Sequence, residues 1–358
     1  MIEGDRWEHG SEFHWPLPSS GDTGVPCPWS EDPSFLGSGR DAFRFLIAHG
    51  IQAHAWRRLW VPSYMCQHVV ETLTNTGIKC MLYEDAPDQA APKAQTLSLE
   101  SGDALLAVNY FGLRDASALD AIDMKGASLI VDHTHDLLSS WAFDSKADYA
   151  IASLRKTLPT PDGGVLWSPK AHALPSPPAL TQERAMAARA KWKAMRLKAH
   201  YLAGELVSKS DFRALASEGE SQMAAGEISG IYPETEARLG RFPQHAWRDQ
   251  RAANHQAACE RLDEVEGLRV LTGVDSSCPF SLFVVFESSQ KRDHTRQQLI
   301  DNMVYPALLW PLEACVLEGT PERHRGLAHR SLSIHCDMRY SREDMQRVAD
   351  IIVEAMRE

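Results

Sequence analysis

The sequence has no Cys-x-x-Cys pair, no long apolar run, no basic cluster and no internal repeat. Its seven cysteines (Cys27, Cys66, Cys80, Cys259, Cys278, Cys315, Cys336) are odd in number and scattered. That pattern indicates neither a zinc knuckle nor a disulfide framework, and free thiols in a reducing compartment are expected. Nothing approaches the ~18 consecutive apolar residues that a membrane-crossing helix needs. The opening "MIEGDRWEHGSEFHW" is acidic and polar with no apolar signal core, which reads as a cytoplasmic protein. Net charge is −11, and without clustered Lys and Arg to meet phosphates, nucleic acid is not an expected partner.

What is present is an ordinary globular composition, 44% apolar and 24% charged over 358 residues. That length suits two domains, or one large α/β unit with an appendage. Residues 1–35 carry Pro16, Pro18, Pro26, Pro28 and Pro33 and read as an extended arm. Next come apolar runs of strand length: "RRLWVP", "KCMLYE", "ALLAVNYF", "SLIVD", "DYAIASL" and "GGVLWS". Helical stretches separate several of them, including "RDAFRFLIAHG" with Gly50 as its stop and "QHVVETLTNTG" with Gly77. Continuous apolar strands alternating with helices predict an α/β fold with a mostly parallel sheet covered on both faces. Residues from about 180 to 265 are helical in pattern, and the chain then alternates again through "PFSLFVVFE" and "SLSIHCD". The expected division is an arm at 1–35, a large domain at 36–230 and a small α+β domain at 231–358.

One short stretch concentrates chemistry: "LIVDHTHD" sets Asp132, His133, His135 and Asp136 within five residues. Strand alternation puts His133 and His135 on one face, so a metal site using Asp132, His133 and His135 is one reading. No compact downstream motif supplies further ligands among His172, His200, His245 and His255. A polar turn with no chemistry is a second reading. The third involves Lys156, which follows the apolar run "DYAIASL". A lysine in a partly dry site can lose its proton, and only the neutral amine forms a Schiff base. A carbonyl cofactor such as pyridoxal phosphate also needs an acid beside its ring nitrogen, and Asp132 ends the preceding strand. Successive parallel strands open onto the same carboxyl edge, where ligands bind. Ser38-Gly39-Arg40 at a helix start offers free amides to an anion, and Ser153 offers a hydroxyl.

These stretches, in this order, resemble the DegT/StrS-type sugar aminotransferases, from about Phe35 to the C-terminus. "SGRDAF" resembles the family's phosphate turn, "VDHTHD" its Glu-Asp-Ala-Ala-(His/Gln), and "SLRKTLPTPDGG" its serine, lysine and Gly-Gly segment. "NYFG" resembles its His-Leu-(Phe/Tyr)-Gly loop. The resemblance implies fold type I, with a mostly parallel seven-stranded large domain and a smaller C-terminal α+β domain. It implies pyridoxal 5′-phosphate on Lys156, Asp132 at the pyridine nitrogen and His135 near the phenolic oxygen. Gly39, the backbone of Arg40 and Ser153 would hold the phosphate, and no metal is implied. It also implies a homodimer with shared sites that transfers an amino group, with glutamate as donor and a keto-sugar nucleotide or related specialised metabolite as acceptor. A non-transaminating enzyme of the same fold would share every cofactor residue.

The sequence departs from the family in four places. Cys66 stands where an aromatic ring or His covers the cofactor, leaving Tyr64 or the thiol itself to do so. Arg40 replaces a Thr or Ser, and "PDGG" replaces Gly-Glu-Gly-Gly. The Asn-x-Arg segment is absent, with "GEISGIYPE" in its place and Asn254 a loose substitute. His133 and Asp136 are expected to be structural. Arg323, Arg325 and Arg339 are candidate receivers of an anionic substrate group.

Overall fold

Six consecutive buried residues, Asp103–Val108, form the kind of segment that only a sheet covered on both faces can hold. It is an interior strand of the large sheet in the computed structural model, which describes residues 6–10, 12–15, 27–29, 32–224, 226–274 and 278–357. Pro16, Pro18 and Pro26 lie outside the described residues.

The chain begins with β1 (His9–Gly10), β2 (Ser34–Leu36), α1 (Gly39–Ala53), β3 (Arg58–Pro62), α2 (Gln67–Thr74) and β4 (Lys79–Tyr83). It continues through β5 (Asp103–Val108), β6 (Ser128–Asp132), α3 (Ser140–Phe143), β7 (Tyr149–Ser153), α4 (Leu154–Thr157) and β8 (Gly164–Trp167). Four helices follow: α5 (Gln182–Leu202), α6 (Lys209–Ala224), α7 (Pro233–Leu239) and α8 (Gln244–Leu262). The remainder is β9 (Leu268–Leu271), β10 (Ser281–Phe286), α9 (Ser289–Asp301), β11 (Val304–Tyr305), α10 (Glu322–His329), β12 (Ser331–His335) and α11 (Arg342–Arg357).

Seven strands form the large sheet in the order β2-β8-β7-β6-β5-β3-β4. β3 to β7 run parallel, and β8 pairs antiparallel with both β7 and β2. The α/β class and the seven-stranded, mostly parallel sheet read from the sequence are both present. A second, antiparallel sheet in the order β12-β10-β9 packs with α8 and α11 around its own apolar cluster, including Leu282, Ile334, Val348 and Ile352. Among the described residues, no helix is long and apolar enough to cross a membrane.

Gly50 does not stop α1, which runs on to Ala53. A Cβ at Gly50 would lie 1.9 Å from the Trp56 ring, so this glycine makes room for a packed indole rather than a helix end. At the other end of α1, the Ser38 hydroxyl accepts the Asp41 N–H at 3.1 Å as N-cap. Gly164 faces that cap closely: a Cβ there would lie 2.3 Å from the Ser38 carbonyl oxygen and 2.7 Å from the Gly39 nitrogen. The Gly-Gly pair thus lets β8 run against the start of α1.

Candidate active site

In the sheet's register Val108 pairs with Asp132 and Asp132 with Ile151, so β5, β6 and β7 finish side by side. Asp132 is the last residue of β6; Ser153 ends β7, and Lys156 follows within the single turn of α4. Both therefore emerge at one carboxyl edge, on neighbouring strands. Thr134 ties the two ends together. Its Oγ1 accepts the Ser153 N–H at 2.9 Å, and its carbonyl accepts the Thr157 hydroxyl at 3.2 Å.

Asp132 is 8% exposed, and one oxygen accepts the Thr134 N–H at 2.9 Å. No ion pair reaches it among the described residues, and burial pushes its pKa up to about 6. A buried carboxylate without a cation is costly, and an incoming cationic ring nitrogen would relieve it. Lys156 is exposed at its tip, yet the protein around it displaces much of its water. That desolvation and the neighbouring Arg155 hold its ammonium below the usual lysine value, while Glu220 and Cys66 oppose them. Both perturbations are of the kind that a Schiff-base site needs, and the residues present fit pyridoxal phosphate.

His135 is buried and packs face to face against Phe280, with ring centroids 4.3 Å apart, and against Trp310 at 5.4 Å. Its Nδ1 accepts the Phe111 N–H at 3.4 Å, which leaves the remaining proton on Nε2. Burial, with the Lys156 charge nearby, lowers its pKa to about 3, so the ring is neutral at physiological pH.

Gly39 begins α1 directly against Ser153: a Cβ at 39 would lie 2.9 Å from the Ser153 Cβ. The first-turn amides of α1 and the Ser153 hydroxyl therefore share one small volume, as an anion seat requires. Arg40 leaves that turn toward Glu220 on α6, at 4.0 Å.

Other sequence-level candidates lie elsewhere. His133 gives its Nδ1 to Asp136 at 2.9 Å, and Asp136 also accepts from Asn109 and Ser139, so the pair is a closed structural network. That arrangement turns His133 away from any site shared with His135. Among the described residues, no group of three or more His, Cys, Asp or Glu is arranged to hold a metal ion. Tyr64 is fully buried, with its hydroxyl donated to the Leu309 carbonyl at 2.8 Å; it is a core residue. Cys66 is half-buried and caps α2. Asn254 donates to the carbonyls of Cys336, Asp337 and Tyr340, holding the β12–α11 turn. Arg339 is locked bidentate onto Asp337, Arg323 pairs with Glu84, and Arg325 lies 3.8 Å from Glu322. The variant "PDGG" has a structural use, because Asp162 accepts the Tyr232 N–H at 2.8 Å and the Thr235 hydroxyl, capping α7.

Sequence reasoning passed over Thr134, Arg155, Lys191 and Glu220. Thr134 had a local signal, since it sits between the two histidines. Glu220 had none: it is 65 positions from Arg155 in a helix of mixed charge.

The fold is that of solved aminotransferase structures. DesV of S. venezuelae, in complex with a ketimine intermediate, matches at TM-score 0.65 and 16% identity over 95% of this chain and 92% of that one. The putative sugar aminotransferase Spr1654 from Streptococcus pneumoniae, in its PMP form, matches at TM-score 0.63 and 12% identity over 98% of each. The aminotransferase TlmJ from Streptoalloteichus hindustanus matches at 0.60 and 16%, over 91% and 86%. No family model matches the sequence, and no curated protein matches it.

Proposed function

We propose that this chain is a pyridoxal-phosphate-dependent aminotransferase of the DegT/StrS type. It moves an amino group from an amino acid, glutamate by resemblance, to a keto acceptor of sugar or specialised metabolism. The observation that carries the reading is the pairing of an uncompensated buried carboxylate, Asp132, with a lysine of lowered pKa, Lys156, on adjacent strand ends. The structural neighbours named as aminotransferases support it, and the resemblance implies a dimer with shared sites.

When bound, the cofactor supplies the electron sink that stabilises a carbanion at the substrate's α-carbon. Lys156, as the neutral amine, would hold the cofactor through its aldehyde carbon and would move the proton at the substrate's Cα. Asp132 would hold the ring nitrogen and, ionised, would keep it protonated. His135 has its donor proton on Nε2 and offers it to an acceptor in the cleft. Ser153 and the start of α1 anchor the phosphate, which fixes the ring's position against Lys156.

Purified chain supplied with the cofactor is expected to develop visible absorbance that bleaches on adding glutamate. Borohydride before glutamate should fix the cofactor to the peptide containing Lys156. Material that stays colourless with no labelled peptide would sink the proposal.

A further inference from the structure

Three cations from three elements meet one carboxylate beside Lys156. Arg155, next in sequence to the lysine, reaches Glu220 through both terminal nitrogens, at 2.5 and 3.2 Å. Lys191 of α5 reaches it at 2.6 Å, and Arg40 of α1 stands off at 4.0 Å. Glu12 adds a second carboxylate 3.8 Å from Lys191. Three positive groups thus face two carboxylates, in a chain whose net charge is −11.

Several donors in this cluster are unspent. The Arg155 Nε is buried with no hydrogen-bond partner. Arg40 makes no hydrogen bond through its guanidinium among the described residues; its one charged approach is the 4.0 Å contact, too long for one. The Ser153 side chain and the first amides of α1 lie against each other, as the Gly39–Ser153 contact requires. Buried or half-buried cations with unused donors imply an oxyanion with more acceptors than one carboxylate provides.

We infer that this chain completes an anion seat from its own residues. The guanidinium groups of Arg40 and Arg155 receive a phosphate monoester dianion together with Ser153 and the helix start. Glu220 is the counter-charge that holds the arginines in position until the dianion arrives. Arginine suits this task because its fork offers paired donors to phosphate oxygens. The inference rests on the proposed function in taking that phosphate to be the cofactor's.

The test compares pyridoxal phosphate with pyridoxal, the same aldehyde without the phosphate, each titrated into the cofactor-free chain and read by visible absorbance. Wild type is expected to prefer the phosphorylated form strongly. Arg40→Met is expected to lose about tenfold or more of that preference, the size of one charge-assisted contact. Its uptake of pyridoxal should be unchanged, which also shows that the variant folds. Arg40→Lys, keeping the charge, should retain most of the preference. An Arg40→Met chain with the wild-type ratio overturns the inference and leaves the Lys156 assignment standing, as does a wild type that takes up both aldehydes equally. A wild type that takes up neither overturns both.

Discussion

The Ser153 N–H donates to the Thr134 hydroxyl at 2.9 Å, across the ends of two adjacent parallel strands. This bond replaces the ladder that stops at the Asp132–Ile151 pair, and it fixes how far Lys156 stands from Asp132. Thr134→Val keeps the shape and removes the acceptor, leaving a backbone donor unpaired. Such a loss costs about 1–3 kcal/mol. Thermal unfolding should register it, and cofactor uptake should weaken in parallel. A variant with unaltered stability and uptake would show that the strand ends are held some other way.

In the proposed reaction Lys156 acts as the free amine, so the proton on it would be inhibitory. Its pKa is lowered by burial and by Arg155, which moves the working range downward toward neutrality. Turnover should fall as pH drops through that lowered value and level off above it. Lys156→Ala should lose about 10²–10⁴-fold in turnover, the usual range for a positioned acid–base group, and all borohydride labelling. Full turnover in that variant would contradict the role.

Asp132 gives a stability prediction of opposite sign in the empty and filled protein. Its folded pKa of about 6 lies above the ordinary carboxyl value, so the protonated form is the one the fold favours. The contribution is stabilising at low pH and is lost as pH rises through about 6, at a cost of up to ~3 kcal/mol. Asp132→Asn should therefore unfold at a higher temperature than wild type at pH 8 without cofactor, and equally at pH 4. The same variant should take up the cofactor less well. Equal melting at both pH values would mean that the carboxylate already has a partner.

Seven buried or half-buried histidines have pKa values lowered first by burial: His49, His9, His14, His255 and His324, the last four to about 4, and His135 and His335 to about 3. Each takes up a proton on unfolding below its ordinary value, so stability present at neutral pH is lost as pH falls below about 6.5. Asp132 and Asp162, both raised to about 6, act in the opposite sense below that point. The histidines outnumber these carboxylates, so unfolding takes up protons on balance. Denaturant midpoints measured from pH 7 to 4.5 should fall steeply. A flat profile would mean that these imidazoles are more hydrated than their packing indicates.

The sequence by itself determined the sheet and the Asp132–Lys156 pair at its edge. Continuous apolar runs such as that ending at Val108 can be buried only between two helical layers, and a parallel sheet brings their ends to one edge. Asp132, Lys156 and the Ser38–Gly39 turn were legible because each stands at a strand or helix end, where chemistry collects. The tertiary structure decided which polar residues share that edge. Tyr64 and Asn254 were spent inside the cores, and the two histidines were divided between a carboxylate network and an aromatic stack. Glu220 and Lys191 reached the lysine through a helical hairpin that no local pattern encodes. Local periodicity fixes which face of a segment is buried, but not which distant side chain meets it there, because that depends on how the layers pack.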